Sequence, residues 1–291
     1  VCTLIGSKEG IMHITMALLN PSDGVLVPNP GYPTYSAVSK LAQAEVFNYD
    51  LTQESGWMPD FEALEKLPLE KIKLMWVNYP NMPTGQNGSL ELYEKLVAFA
   101  RKHSIIVVND NPYSRILNPT PMSIMQVEGA RECCIELNSL SKSHNMAGWR
   151  VGMLVTNATF VEWILRVKSN VDSGMFKPLQ LAAAEAMTLT QEWNDKLNEE
   201  YAARRVIAAE ILEELNCKFD PAQVGLFLWG KVADDVQSGE LLCDDVLDKA
   251  RVFITPGFIF GSQGERYVRI SLCATQEKMR EALERIRAAK I

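Results

Sequence analysis

The chain contains no run of apolar residues approaching the roughly 18 that cross a bilayer, and residues 1–6 place no basic segment ahead of their apolar ones. A membrane span and a secretory leader are therefore not expected. Positive charge is in short supply: 29 Lys and Arg stand against 36 Asp and Glu, a formal net charge of −7. Such a field repels phosphate backbones and anionic lipid, which argues against nucleic acid and membrane surfaces as partners. No C-x-x-C pair occurs. The six cysteines (Cys2, Cys133, Cys134, Cys217, Cys243 and Cys273) are scattered along the chain, a distribution that fits reduced thiols and a cytoplasmic setting better than a disulfide framework. Also missing are the phosphate-cradling G-x-x-x-x-G-K-[ST], the dinucleotide-binding G-x-G-x-x-G, internal repeats and low-complexity tracts.

What is present is an ordinary folding composition, 47% hydrophobic and 22% charged over 291 residues, enough for about two domains. Short apolar, β-branched runs recur at 25–27, 72–77, 105–108, 133–137 and 151–155, with amphipathic stretches such as 90–102 between some of them. That alternation predicts βαβ units and a mostly parallel sheet. Over 192–215 the apolar residues Trp193, Leu197, Tyr201, Ala208, Leu212 and Leu215 fall three, four or seven apart without Gly or Pro, which predicts one long amphipathic helix. Strands are expected at 224–229, 252–255 and 267–272, then a charged helix over 276–290. The expected organisation is an α/β domain over 1–190 and a smaller α+β domain over 191–291.

The stretch that carries chemistry is Ser139-Leu140-Ser141-Lys142, followed by Gly148-Trp149-Arg150. It comes directly after the predicted strand ending near Leu137, and ligands of open α/β sheets gather at the carboxyl ends of strands. Two hydroxyls, an amine and a guanidinium there suit a phosphate held beside a reactive amine. With its arginine eight residues beyond the lysine, the segment resembles the class I/II aminotransferases, the fold-type I enzymes that use pyridoxal 5'-phosphate. Asp110-Asn111-Pro112-Tyr113 is similar to that family's D-x-x-Y. Residues 256–261 (Pro-Gly-Phe-Ile-Phe-Gly) resemble its P-G-x-x-F-G, and Tyr267-Val268-Arg269-Ile270-Ser271 its Y-x-R-x-S. The matches keep the family's order from about residue 4 to the C-terminus.

The resemblance implies a three-layer α/β/α large domain with Lys142 covalently joined to the cofactor, and Ser139, Ser141 and Arg150 around its phosphate. Asp110 would keep the pyridine nitrogen protonated, since a carboxylate favours the charged form of its neighbour. Tyr113 would offer its phenol to the ring oxygen. Gly6-Ser7-Lys8 precedes a helix expected over 10–19 and would present backbone N–H groups to the phosphate. Tyr32, in Pro30-Gly31-Tyr32-Pro33-Thr34-Tyr35, would stack on the ring, with Tyr35 the less favoured choice. Arg269 would grip the substrate α-carboxylate through two parallel hydrogen bonds. The implied reaction moves an amino group from an L-amino acid to a 2-oxo acid, in a homodimer with a shared site and without a metal. A C–S β-lyase or decarboxylase on the same cofactor cage, and a pyridoxal-phosphate binder without activity, are the alternatives. No arginine for a second carboxylate can be placed around 168–174, which leans against a strict aspartate enzyme.

The pattern departs from the family in two places. Where the family writes N-P-T-G, this chain has Asn81-Met82-Pro83-Thr84-Gly85, and methionine offers no comparable donor. Asn81 reaching in, Tyr113 acting alone, or another group filling the slot are the readings open; Tyr113 alone is favoured. The family's peptide bond before this proline is often cis, so Met82-Pro83 is a point of comparison. The second departure is that the phosphate loop begins almost at once. The chain therefore reads as a fragment without the N-terminal arm and first part of the small domain, and weak or absent activity is expected of it.

Overall fold

A computed structural model describes residues 1–291. Seven strands form the main sheet: β1 (Cys2–Leu4), β2 (Gly24–Asn29), β3 (Glu45–Asp50), β4 (Ile72–Val77), β5 (Ile106–Asp110), β6 (Cys134–Ser139) and β7 (Gly152–Val155), in the order β1-β7-β6-β5-β4-β2-β3. All run parallel except β7, which is antiparallel to both neighbours. The interior strands are buried on both faces and therefore carry continuous apolar runs, whereas the half-exposed edge strand β3 alternates with Glu45, Asn48 and Asp50 and the other edge, β1, has three residues.

Helices cover both faces. Ser7–Leu18, Pro33–Leu41 and Ala158–Val171 place Ile11, Ile14, Tyr35, Val38, Phe160 and Ile164 on one side of the sheet. Leu90–His103 places Leu92, Tyr93, Leu96 and Phe99 on the other. The three-layer α/β/α arrangement follows. Ser89 caps the last of these helices through Leu92 N, and its final turn carries Arg101, Lys102 and His103 against the negative end of the dipole.

A second, antiparallel sheet is formed by β8 (Lys218–Phe219), β9 (Phe227–Lys231), β10 (Thr255–Pro256) and β11 (Tyr267–Ser271), in the order β10-β11-β9-β8. The long helix is Gln191–Glu214, and with Gln276–Ala289 it buries Ile207, Ile211, Leu212, Met279, Leu283 and Ile286 against Leu228, Val268 and Ile270. The strand expected over 224–229 starts three residues later, for a reason the apolar pattern cannot show. Val224 N donates to Gly85 O at 2.8 Å and Gly225 N to Ile116 O at 2.9 Å, while the Gln223 side chain bonds both backbone groups of Trp229. These residues tie the small sheet to the loops of the large one.

A further clasp ties the loop after β10 to the large sheet. Asn29 Nδ2 donates to Asp50 Oδ1 at 2.7 Å and to Ser262 Oγ at 2.9 Å, and Gly31 N donates to Phe260 O at 2.8 Å. No helix is long and apolar enough to cross a membrane.

Candidate active site

The carboxyl ends of β4, β5 and β6 open onto a cavity of about 400 Å³ whose far wall is supplied by the small sheet. Ser7, Lys8, Tyr32, Asp110, Tyr113, Ser139, Ser141, Lys142, Arg150 and Arg269 line it together. Four of its side chains, Lys8, Lys142, Arg150 and Arg269, are cationic and one, Asp110, is acidic. In a protein of net charge −7 this local reversal of sign fits a polyanionic ligand.

The anion end is made by two turns. Gly6 begins the helix Ser7–Leu18 with no side-chain cap and φ of 80°, leaving the first N–H groups of the helix for another partner. The second turn is the short helix Leu140–Ser143, whose start is fixed by Ser139 Oγ accepting from Ser141 N at 3.2 Å, so that Lys142 projects from its end. Arg150 spans the two. Its Nη1 donates to Ala147 O at 3.0 Å and Ser141 Oγ at 3.4 Å, and its Nη2 to Ile5 O at 3.3 Å. Gly6 itself is not among the lining residues, whereas Ser7 and Lys8 are. A β-carbon there would run into Arg150 Nη2, so its part is to let the guanidinium lie flat. Gly6→Ala should displace Arg150 and weaken inorganic phosphate binding about tenfold, the measure being competition against a phosphorylated ligand.

Asp110 ends β5 and is 4% exposed. Its Oδ2 accepts from Tyr35 Oη at 2.9 Å, while Oδ1 is buried without a partner. Burial pushes this carboxyl up to about 6, the Tyr35 hydrogen bond opposing. An orphaned buried carboxylate oxygen facing a cavity calls for a donor, best a cationic one. Tyr35 is held for its task by stacking on Trp76, with centroids 5.0 Å apart and planes within 4°. Tyr32 stands edge-on to Tyr35 with Lys8 Nζ 5.4 Å above its ring. Burial, and then the charge of Asp110, raise the Tyr113 phenol despite Arg269, so it remains a neutral donor.

Arg269 projects from β11 between two rings, 4.1 Å from the Phe227 centroid and 4.6 Å from that of Phe260. Its Nη1 touches Met82 Sδ at 3.1 Å, its Nε is buried without a partner, and no carboxylate pairs with it. A half-buried guanidinium with two aromatic faces and no counter-ion is a receptor for an anion.

Asn81, one of the readings open for the ring-oxygen donor, lies outside this lining, with its Nδ2 buried and without a partner. Its Oδ1 is taken by Thr84 Oγ1 at 2.8 Å and Thr84 N at 3.2 Å, within a turn closed by Gly85 N on Asn81 O. Met82 faces the cavity instead, and its bond to Pro83 is cis. Asn78 is the residue that sequence reasoning missed. It follows β4 directly, lines the cavity, accepts from Met82 N at 2.8 Å and donates to the Asp110 carbonyl. Its position one residue past a predicted parallel strand was the available signal.

Residues 1–286 match the family model for aminotransferase class I and II. The chain belongs to the class I and II aminotransferases. It is 42% identical over 293 aligned residues to the LL-diaminopimelate aminotransferase of Halothermothrix orenii, and 41% to that of Aquifex aeolicus. The alignments span all of this chain and 75% and 76% of those relatives. Among solved structures, apo-BacF from Bacillus subtilis superposes with a TM-score of 0.94 at 37% identity, covering 99% of this chain and 74% of BacF. Thermus thermophilus aspartate aminotransferase with maleate gives 0.89 at 26%, covering 99% and 75%. The protein is thus a transaminase whose cofactor is pyridoxal 5'-phosphate. The cavity fits that group on its own observations: an orphaned carboxylate oxygen for a protonated ring nitrogen, and Arg150 spanning the two turns at the anion end.

Proposed function

We propose that Lys142 is the lysine that carries the cofactor and moves the proton, with Asp110 and Tyr113 as the residues that would hold the ring nitrogen and the ring oxygen. The observation that carries this is the gathering of Lys142 and the half-partnered Asp110 into one cavity where cations outnumber acids. Bound there, pyridoxal phosphate supplies a carbonyl carbon that takes the amino group and a conjugated ring that spreads the electron pair released at Cα.

The protein's share is binding, orientation and proton transfer. The N–H groups of Ser7 and Lys8, the hydroxyls of Ser139 and Ser141, and Arg150 grip the phosphate. Asp110 Oδ1, buried without a partner, would keep the proton on the ring nitrogen, and Tyr113 Oη would donate to the ring oxygen in the absence of an amide at position 82. Tyr32 covers one ring face and excludes water from it. Arg269 forks onto the substrate α-carboxylate, which fixes the orientation of Cα. Lys142 Nζ would be the group that holds and moves the proton of the substrate Cα.

Arg269→Lys keeps the charge and loses the fork. It should cut kcat/KM by about 10²-fold, mainly through KM, in an amino-donor titration; an unchanged KM would remove Arg269 from the substrate site.

The names of the relatives support LL-diaminopimelate as the amino donor, with a 2-oxo acid as acceptor. Following oxo-acid release with LL-diaminopimelate, aspartate, alanine and aromatic donors tests that choice. Residues 1–190 are taken as the cofactor-binding domain and 191–291 as the smaller one. A cytoplasmic homodimer with a shared site belongs to the same reading. It is supported by six free cysteines and by exposed Phe176 and Leu181, in the segment whose Leu179 and Ala183 pack against Leu140 and Met146. Sedimentation at micromolar concentration measures the oligomer.

A further inference from the structure

Behind the anion end lies an ion cluster that the reaction does not use. Lys168, 6% exposed on the helix Ala158–Val171, donates from Nζ to Glu9 Oε1 at 2.9 Å and to Asp172 Oδ2. His13 Nε2 lies 2.9 Å from the same Glu9 oxygen. The other oxygen, Glu9 Oε2, accepts the backbone N–H of Ile5, and the Ile5 carbonyl in turn accepts from Arg150 Nη2 at 3.3 Å. A continuous chain of contacts therefore runs from Lys168 through Glu9 and the Ile5 residue to a guanidinium in the cavity.

Glu9, His13 and Asp172 have ligand atoms within 4.8 Å of one another, a spacing that also suits a cation. The Lys168 ammonium already touches both carboxylates, and it supplies that charge. A buried pair of this kind returns little net stability for the cost of desolvating its ions, but it does fix geometry. Here the geometry matters, because the helix Ser7–Leu18 starts at a glycine with no side-chain cap. Glu9, in the first turn, reaches back to the residue before that cap, much as the glutamate of a capping box does.

We propose that Glu9 and Lys168 are positioning residues for the cofactor's phosphate: they strap the turn at residues 5–8 and, through the Ile5 carbonyl, orient Arg150. The proposal rests on the reading of the cavity as a pyridoxal-phosphate site. The test titrates the cofactor-free protein separately with pyridoxal phosphate and with pyridoxal, which lacks the phosphate, following binding by absorbance. Lys168→Met should raise the dissociation constant for pyridoxal phosphate about tenfold, the lower end of what removing a supporting shell costs a bound ion, and leave that for pyridoxal unchanged.

Asp172→Asn, at a partly exposed site, should move the same way by less, and it decides the matter if Lys168→Met does not fold. Equal losses for both ligands, or none for either, would show that the cluster has a general structural role and overturn the proposal. Wild-type protein that binds neither ligand would overturn the reading of the cavity itself.

Discussion

Lys142→Ala should lower turnover by about 10⁴-fold or more, because one change removes both the covalent attachment and the group that moves the proton. The side chain is half-buried at the end of a turn set by the Ser139 cap, so truncation leaves the turn intact and the cavity larger by most of a lysine. Two measurements separate this from a loss of fold. Borohydride reduction of the loaded wild type should leave the cofactor's mass on the peptide containing Lys142, and the variant should carry none. A small primary amine added to the variant should restore part of the single-turnover rate with an amino donor, since the vacated space admits it. The rival is Lys8, the other lysine on the cavity wall. Mass on the Lys8 peptide, or undiminished turnover in Lys142→Ala, would move the assignment there.

Two of the residues named from the sequence share a position: they stand at the carboxyl ends of strands whose apolar runs are continuous. Asp110 closes β5 and Ser139 closes β6, so finding the strand located the side chain. The helix Gln191–Glu214 was legible for a similar reason, its apolar residues recurring at helical spacing. What stayed hidden depends on partners far along the chain. Tyr35 was passed over in favour of Tyr32 because nothing within its own segment announces a hydrogen bond to a carboxylate 75 residues away. Between Asn81 and Met82, the turn brings the thioether to the cavity, because Thr84 and Gly85 claim the asparagine's acceptors. At Gly6 the missing β-carbon makes room for Arg150, a residue on a different loop that no local pattern around the glycine announces.

Asp110→Asn should change two measurements in opposite directions. In the ligand-free protein burial raises this carboxyl from 3.8 to about 6, so the folded chain holds the proton more tightly than the unfolded chain does. Its contribution to stability is complete below the unfolded value and is lost as the pH rises through about 6. Above that, the ionised, half-partnered carboxylate costs up to about 3 kcal/mol. Asparagine keeps an acceptor for Tyr35 and carries no charge. The ligand-free variant should therefore unfold at a higher temperature than the wild type at pH 8 and at nearly the same temperature at pH 4. With pyridoxal phosphate the order reverses. The wild-type Oδ1 would gain the ring N–H⁺ it lacks, whereas in the variant the ring nitrogen would give up its proton and the ion pair with it, a loss of about 10²-fold or more in affinity. Scanning calorimetry of both proteins at the two pH values, with and without cofactor, measures all of these differences. A variant that is less stable than wild type when ligand-free at pH 8, or that binds pyridoxal phosphate as tightly, would mean that Asp110 does not face the ring nitrogen.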